Sequence, residues 1–115
     1  MKKPGQIVLF EFPQANLEKG KPRPALLISQ LPGEYDDWLI CMISSQIHQY
    51  IPDFDEIIQE NDPDFIESGL RIPSVIRISR LAVIEGEILI GAIGQIFHDR
   101  LQRIKANIAN WIIKS

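Results

Sequence analysis

Lys19-Gly20-Lys21-Pro22-Arg23-Pro24-Ala25-Leu26-Leu27-Ile28-Ser29 is a stretch in which two kinds of chain meet. Its first half is basic and punctuated by glycine and proline, the composition of a loop. Its second half, Ala25 to Ser29, is apolar and reads as a strand. Short strands set off by turn signals recur along the rest of the chain, and they decide the fold class.

Upstream, Ile7 to Phe12 is an apolar run of strand formers, followed by a loop from Pro13 to Pro24. Downstream come a turn at Pro32-Gly33 and a third apolar run, Trp38 to Ile43, whose length and neighbours favour a strand. Phe54 to Ile58 reads as a short edge strand. Asn61-Asp62-Pro63 reads as a helix start, with Asp62 capping one turn that runs to Ile66 and ends near Gly69. Ser74 to Ile84 is long for one strand, and a bend is expected inside it. Glu85-Gly86-Glu87 is a turn, and Ile88 to Ile96 is a further strand. The end of the chain changes period. Leu101, Ile104, Ile108, Trp111 and Ile112 recur at spacings of three and four, while Arg100, Arg103, Asn107 and Asn110 form a polar stripe. This predicts an amphipathic helix over Asp99 to Ile113, capped by Asp99 and roughly 22 Å long. The expected class is α+β, mainly β: a small curled antiparallel sheet or barrel with a C-terminal helix packed on it.

The chain has 115 residues, 45% hydrophobic and 23% charged, which suits one domain over 1–115 with a real core. A single cysteine, Cys41, excludes an internal disulfide and fits a reducing compartment. No apolar run approaches the ~18 residues of a membrane span, and no signal peptide is read at the N-terminus, so a cytoplasmic location without membrane contact is expected. The net charge is −3, yet seven acidic residues lie between Asp53 and Glu67 with no Lys or Arg among them. Setting that segment aside turns −3 into +4, so a local positive face remains available. The segment itself reads as a solvated acidic face.

Phosphate-loop, H-E-x-x-H, C-x-x-C and G-x-S-x-G signatures are missing, and His48, His98 and Cys41 lack zinc-ligand spacing. No metal or other cofactor is therefore expected. Two segments carry possible chemistry. Pro22 and Pro24 fix the backbone on either side of Arg23, so its guanidinium is aimed at little entropic cost. It would either grip a phosphate through paired hydrogen bonds or form a structural salt bridge. In Ile43-Ser44-Ser45-Gln46 polar residues appear abruptly at the end of a buried strand, where hydroxyls either meet a ligand or close a turn. His48 is a competing general base if it is not simply an exposed loop histidine. Phe10 and Trp38 would stack on bases if they were not core residues.

Taken together, these segments resemble the MazF/PemK toxin family. Gly5-Gln6-Ile7-Val8 is similar to its first strand, Arg23-Pro24-Ala25 to its Arg-Pro pair, and Ile43-Ser44-Ser45-Gln46 to its Thr-Ser/Ala-Gln motif. Gly69-Leu70 with Ser74-Val75-Ile76, then Ile90-Gly91-Ala92-Ile93 and the terminal helix, continue the likeness over nearly the whole chain. The resemblance implies an SH3-like barrel, a homodimer, a cognate antitoxin partner and cleavage of single-stranded RNA, with Arg23 and Ser44 as the catalytic pair. Without metal-ligand spacing in the chain, the expected nucleophile is the RNA's own 2′-hydroxyl, giving a 2′,3′-cyclic phosphate and a 5′-hydroxyl. Lys19, Lys21, Ser45, Gln46, Arg71, Arg77 and Arg80 are the expected RNA-binding residues. Three departures from the pattern stand out: Ser44 where threonine is usual, Pro73 before Ser74-Val75, and Arg80 where some members have Gln. The competing expectation is a non-catalytic SH3-like module that binds RNA or protein.

Overall fold

The computed structural model describes residues 2–11 and 22–115. Within them, β1 (Gln6–Glu11), β2 (Pro22–Gln30), β3 (Asp37–Ser44), β4 (Glu56–Ile58), β5 (Ser74–Glu85) and β6 (Gly91–Gln95) form one antiparallel sheet in the order β4-β5-β3-β2-β1-β6. A single helical turn, α1 (Phe65–Ser68), follows β4, and the long helix α2 (His98–Lys114) ends the chain. The mainly β fold, a curled sheet with a C-terminal helix, is the one expected.

The sheet is apolar on both faces. On one, Ile7, Leu26, Ile28, Cys41, Ile43, Ile76 and Ile78 pack with Leu101 and Ile104 of α2. On the other, Val8, Phe10, Ala25, Leu27, Trp38 and Ile40 form a second cluster. A strand covered on both sides has no polar positions to alternate, which is why Trp38–Ile43 shows no period of two. Phe10 and Trp38 are core residues, each 3% exposed, and the base-stacking reading of them is withdrawn. Their bulk is better used inside, where each can remove up to about 200 Å² from water.

The bend expected in β5 is present. Met42 pairs with Arg77, but the preceding residue of β3, Cys41, pairs with Leu81, so Ile78, Ser79 and Arg80 are extra residues on β5. The excursion shifts the strand's phase by an odd number. Arg77 shares the face of Met42, while Leu81, four residues on, shares the opposite face with Cys41.

The sheet's two edges, β4 and β6, meet through α1 rather than through a ladder. The backbones come so close that a Cβ on Gly94 would collide with the carbonyls of Glu67 and Ser68, and one on Gly69 with that of Ile93. Gly69 also takes the left-handed conformation, φ 75°, that ends α1.

Several local expectations shift. β2 starts at Pro22, so Arg23 is a strand residue rather than a loop residue. The prolines are tolerated because pairing with β3 begins only at Ala25, leaving Pro22 and Pro24 with β1 alone as partner. β4 is shorter than the predicted Phe54–Ile58, and β6 is shorter than Ile88–Ile96, because Gly86–Ile88 coils into a 3₁₀ turn. Asp62 does not cap α1: its carboxylate accepts from Gln59 N–H and Arg100. Asp99 does not cap α2, which has Phe97 at its N-cap; it lies in the first turn, 3.6 Å from Arg103.

Arg100 is the largest correction. It is not part of a polar stripe but is 6% exposed, and its guanidinium is fully engaged. Nε and Nη2 donate to the two oxygens of Asp64 at 2.8 and 3.1 Å. Nη1 donates to Glu56 and to the Ile57 carbonyl, and Nη2 also reaches Asp62. Burial works to raise the Asp64 carboxyl, but hydrogen bonds from Arg100 and from Phe97 N–H outweigh it and hold the group below the usual carboxylate range. The acidic segment is therefore not simply a solvated face. Asp55 and Asp64 are buried, and Glu56 is drawn inward with them.

Candidate active site

Phe10 on β1 pairs with Arg23 on β2, and Ser44 on β3 pairs with Val75 on β5. Ala25 pairs with Met42, so continuing that antiparallel register by two residues sets Arg23 opposite Ser44. The sheet thus brings together two residues 21 positions apart in sequence. They line one hollow of about 220 Å³ with Ser45, Gln46 and Arg71. Pro24, Ile43, Leu70, Ile72 and Ser74 complete its wall. Ser74, which donates its hydroxyl to the Ile72 carbonyl at 3.0 Å, is part of a strand motif in the sequence reading but is not among its expected site residues.

Arg23 is exposed, and among the described residues no carboxylate pairs with it. The salt-bridge reading therefore has no partner there. Arg71 is likewise exposed and unpaired among these residues. Ser44 combines both readings of its hydroxyl. Its Oγ accepts Gln46 N–H at 3.1 Å, closing the turn after β3, while its side chain still borders the hollow with a proton to give.

Arg77 lies outside the hollow but on the same sheet face, two residues along β5 from the partner of Ser44. Its Nε is buried and has no hydrogen-bond partner among the described residues, an arrangement that costs energy. Arg80 is exposed, the last residue of the excursion, and does not join the hollow. Lys19 and Lys21 lie outside the described residues. His48 is exposed in the 3₁₀ turn Ile47–Gln49 and does not line the hollow. Cys41 is buried, and burial pushes its thiol far above the ordinary range, so it is inert as a nucleophile.

The other end of the β3–β5 ladder is acidic. There Asp37 pairs with Glu85, and Glu34, Asp36 and Glu87 join them around a larger hollow of about 590 Å³. A hydrogen bond with Glu87, together with that residue's charge, holds the Glu85 carboxyl above its usual range. Asp36 is held low, chiefly by Trp38 Nε1–H at 2.8 Å and by Lys2 at 3.0 Å. Size does not decide which hollow meets a polyanion; the sign of the charge does. Among the described residues, no group of three or more His, Cys, Asp or Glu side chains is placed to hold a metal ion, and no helix is long and apolar enough to cross a membrane.

No curated protein matches the chain. A family model does: the PemK-like, MazF-like toxins of type II toxin–antitoxin systems, matched over residues 3–112, and the chain belongs to that family.

Proposed function

We propose that the protein is the toxin endoribonuclease of its pair, cutting single-stranded RNA at a short sequence at the Arg23–Ser44 hollow. The observation that carries this reading is the meeting of a guanidinium, unpaired among the described residues, and a strand-end hydroxyl in one hollow, with Arg71 beside them. Family membership supports it, and supports a homodimer inhibited by a cognate antitoxin as the form in which the toxin is kept.

In this mechanism the RNA 2′-oxygen attacks the adjacent phosphorus, and the bond from phosphorus to the 5′-oxygen breaks. The products are a 2′,3′-cyclic phosphate and a 5′-hydroxyl. Charge builds on the phosphoryl oxygens in the transition state, and Arg23 offers them two parallel donors. An arginine guanidinium stays protonated in proteins, so Arg23 is a charge stabiliser rather than a proton donor. Ser44 hydrogen-bonds the phosphate and steers a proton between the attacking and departing oxygens. Ser45, Gln46, Arg71 and Arg77 hold the strand on either side. Arg80 adds a further positive charge to β5, and Lys19 and Lys21 add two more to the chain just before β2.

The test is cleavage of a mixed-sequence single-stranded RNA in EDTA by wild type and R23A. Wild type is expected to leave cyclic-phosphate ends and R23A to be slower by about 10²–10³-fold. DNA of the same sequence, which lacks the attacking hydroxyl, is expected to stay intact. Cutting of DNA at a similar rate would falsify the mechanism. Binding of RNA without cutting by wild type would move the reading to a non-catalytic module.

A further inference from the structure

We propose that Asp55 is a positioning residue for the RNA site: it pins the three-residue excursion of β5, so that Arg77 stays on the face of Arg23 and Ser44. The proposal rests on the reading of that face given above.

An excursion of extra residues leaves ladder groups without partners, and a buried orphan N–H is costly. Ser79 is the middle residue of the excursion. Its N–H donates to Asp55 Oδ1 at 3.0 Å and its hydroxyl to Asp55 Oδ2 at 3.2 Å. These bonds cross 24 residues of sequence, and the carboxylate that accepts them is 3% exposed. Asp55 is itself held by a closed turn. Its Oδ2 accepts Ile51 N–H at 3.0 Å, and its own N–H donates to the Ile51 carbonyl at 2.9 Å. Asp53 takes a left-handed φ of 64° to complete that turn, and the Phe54 carbonyl accepts Asn107 of α2 at 3.0 Å. The carboxylate is therefore a fixed point tied to the helix as well as to the sheet.

The excursion decides which side Arg77 faces. Arg77 is the last residue before it, still paired with Met42, and Leu81 is the first after it. A slip of one residue would send the Arg77 side chain to the opposite face, among Ile76, Ile78 and Cys41. Its Nε–H has no hydrogen-bond partner among the described residues, and a fixed backbone holds that donor on the face of Arg23 and Ser44. Asp55 does not line the hollow, and its hydrogen bonds to β5 are made at Ser79.

The test is a double-mutant cycle of D55N and R77A, read by RNA cleavage. D55N is expected to lower kcat/KM about tenfold in the wild-type background and less than twofold in the R77A background. Equal losses in both backgrounds would overturn the proposal and leave Asp55 a purely structural residue. If D55N does not fold, S79A replaces it, removing one of the bonds and giving a smaller loss, about threefold, that also vanishes with R77A. An independent readout needs no RNA. The ¹⁵N–¹H signal of Arg77 Nε is expected to exchange slowly in the wild type, and to shift and exchange faster in D55N. An unmoved signal overturns the proposal whatever the protein does to RNA. An absence of cleavage with a moved signal fails the ribonuclease reading alone.

Discussion

Ser44 shows what one atom at a strand end can do. Its oxygen closes the turn to Gln46 while its proton remains for a substrate, so replacing it removes both. S44A is expected to reduce RNA cleavage about 10²-fold with little change in thermal stability. S44T keeps the hydroxyl and adds χ1 stiffness, so it is expected to retain or raise the rate. Single-turnover cleavage of a defined RNA measures both. At this scale much was legible. Arg23 stood out because two prolines flank it, and Ser44 because it breaks an apolar run. Arg77 could be named as basic, but neither the face it occupies nor its unpartnered nitrogen could be read from neighbours in sequence. Both depend on a register shift set by residues elsewhere in the chain.

Among the elements, α2 was the easiest to foresee and the easiest to misread. The spacing of Leu101, Ile104 and Ile108 marks a helix, and Leu101 and Ile104 do face the core. The same periodicity placed Arg100 in a polar stripe, because a pattern in one segment does not reveal carboxylates waiting 36 and 44 residues earlier. Removing the arginine leaves those carboxylates uncompensated, so R100A is expected to lose about 3 kcal/mol of unfolding free energy, read by urea denaturation. Asp64 adds a pH signature. Its folded pKa lies below the ordinary aspartate value of 3.8, so it stabilises the fold above that value and loses its contribution as pH falls through the folded pKa. Urea midpoints between pH 2 and pH 6 are expected to drop on the acid side in wild type, and to drop less in D64N. An equal acid-side drop in the two proteins would count against the assignment.

For the whole molecule, the class of fold was readable because six short apolar runs and one amphipathic run leave few ways to bury themselves. How the curl is completed was not readable. The edges β4 and β6 meet through α1, across glycines that look like ordinary strand and turn residues until the opposing backbone is in place. G94A is expected to cost about 1–3 kcal/mol, because the methyl meets main chain that cannot move aside as a side chain would. The same substitution at Gly91, where a Cβ meets nothing within 4 Å, serves as its control and is expected to be nearly silent.

The two ends of the β3–β5 ladder have a consequence for how substrate arrives. Asp37 and Ser44 are seven steps apart along one strand, roughly 23 Å at the strand rise. Carboxylates crowd one end of that span and guanidiniums sit at the other. A molecule of net charge −3 is thus an electric dipole, and in the field of a polyanion it experiences a torque before it experiences contact. On the function proposed above, an approaching RNA strand is met with its phosphates toward the guanidinium pole. Selectivity at this stage lies in the orientation of the encounter, and added salt erodes it first.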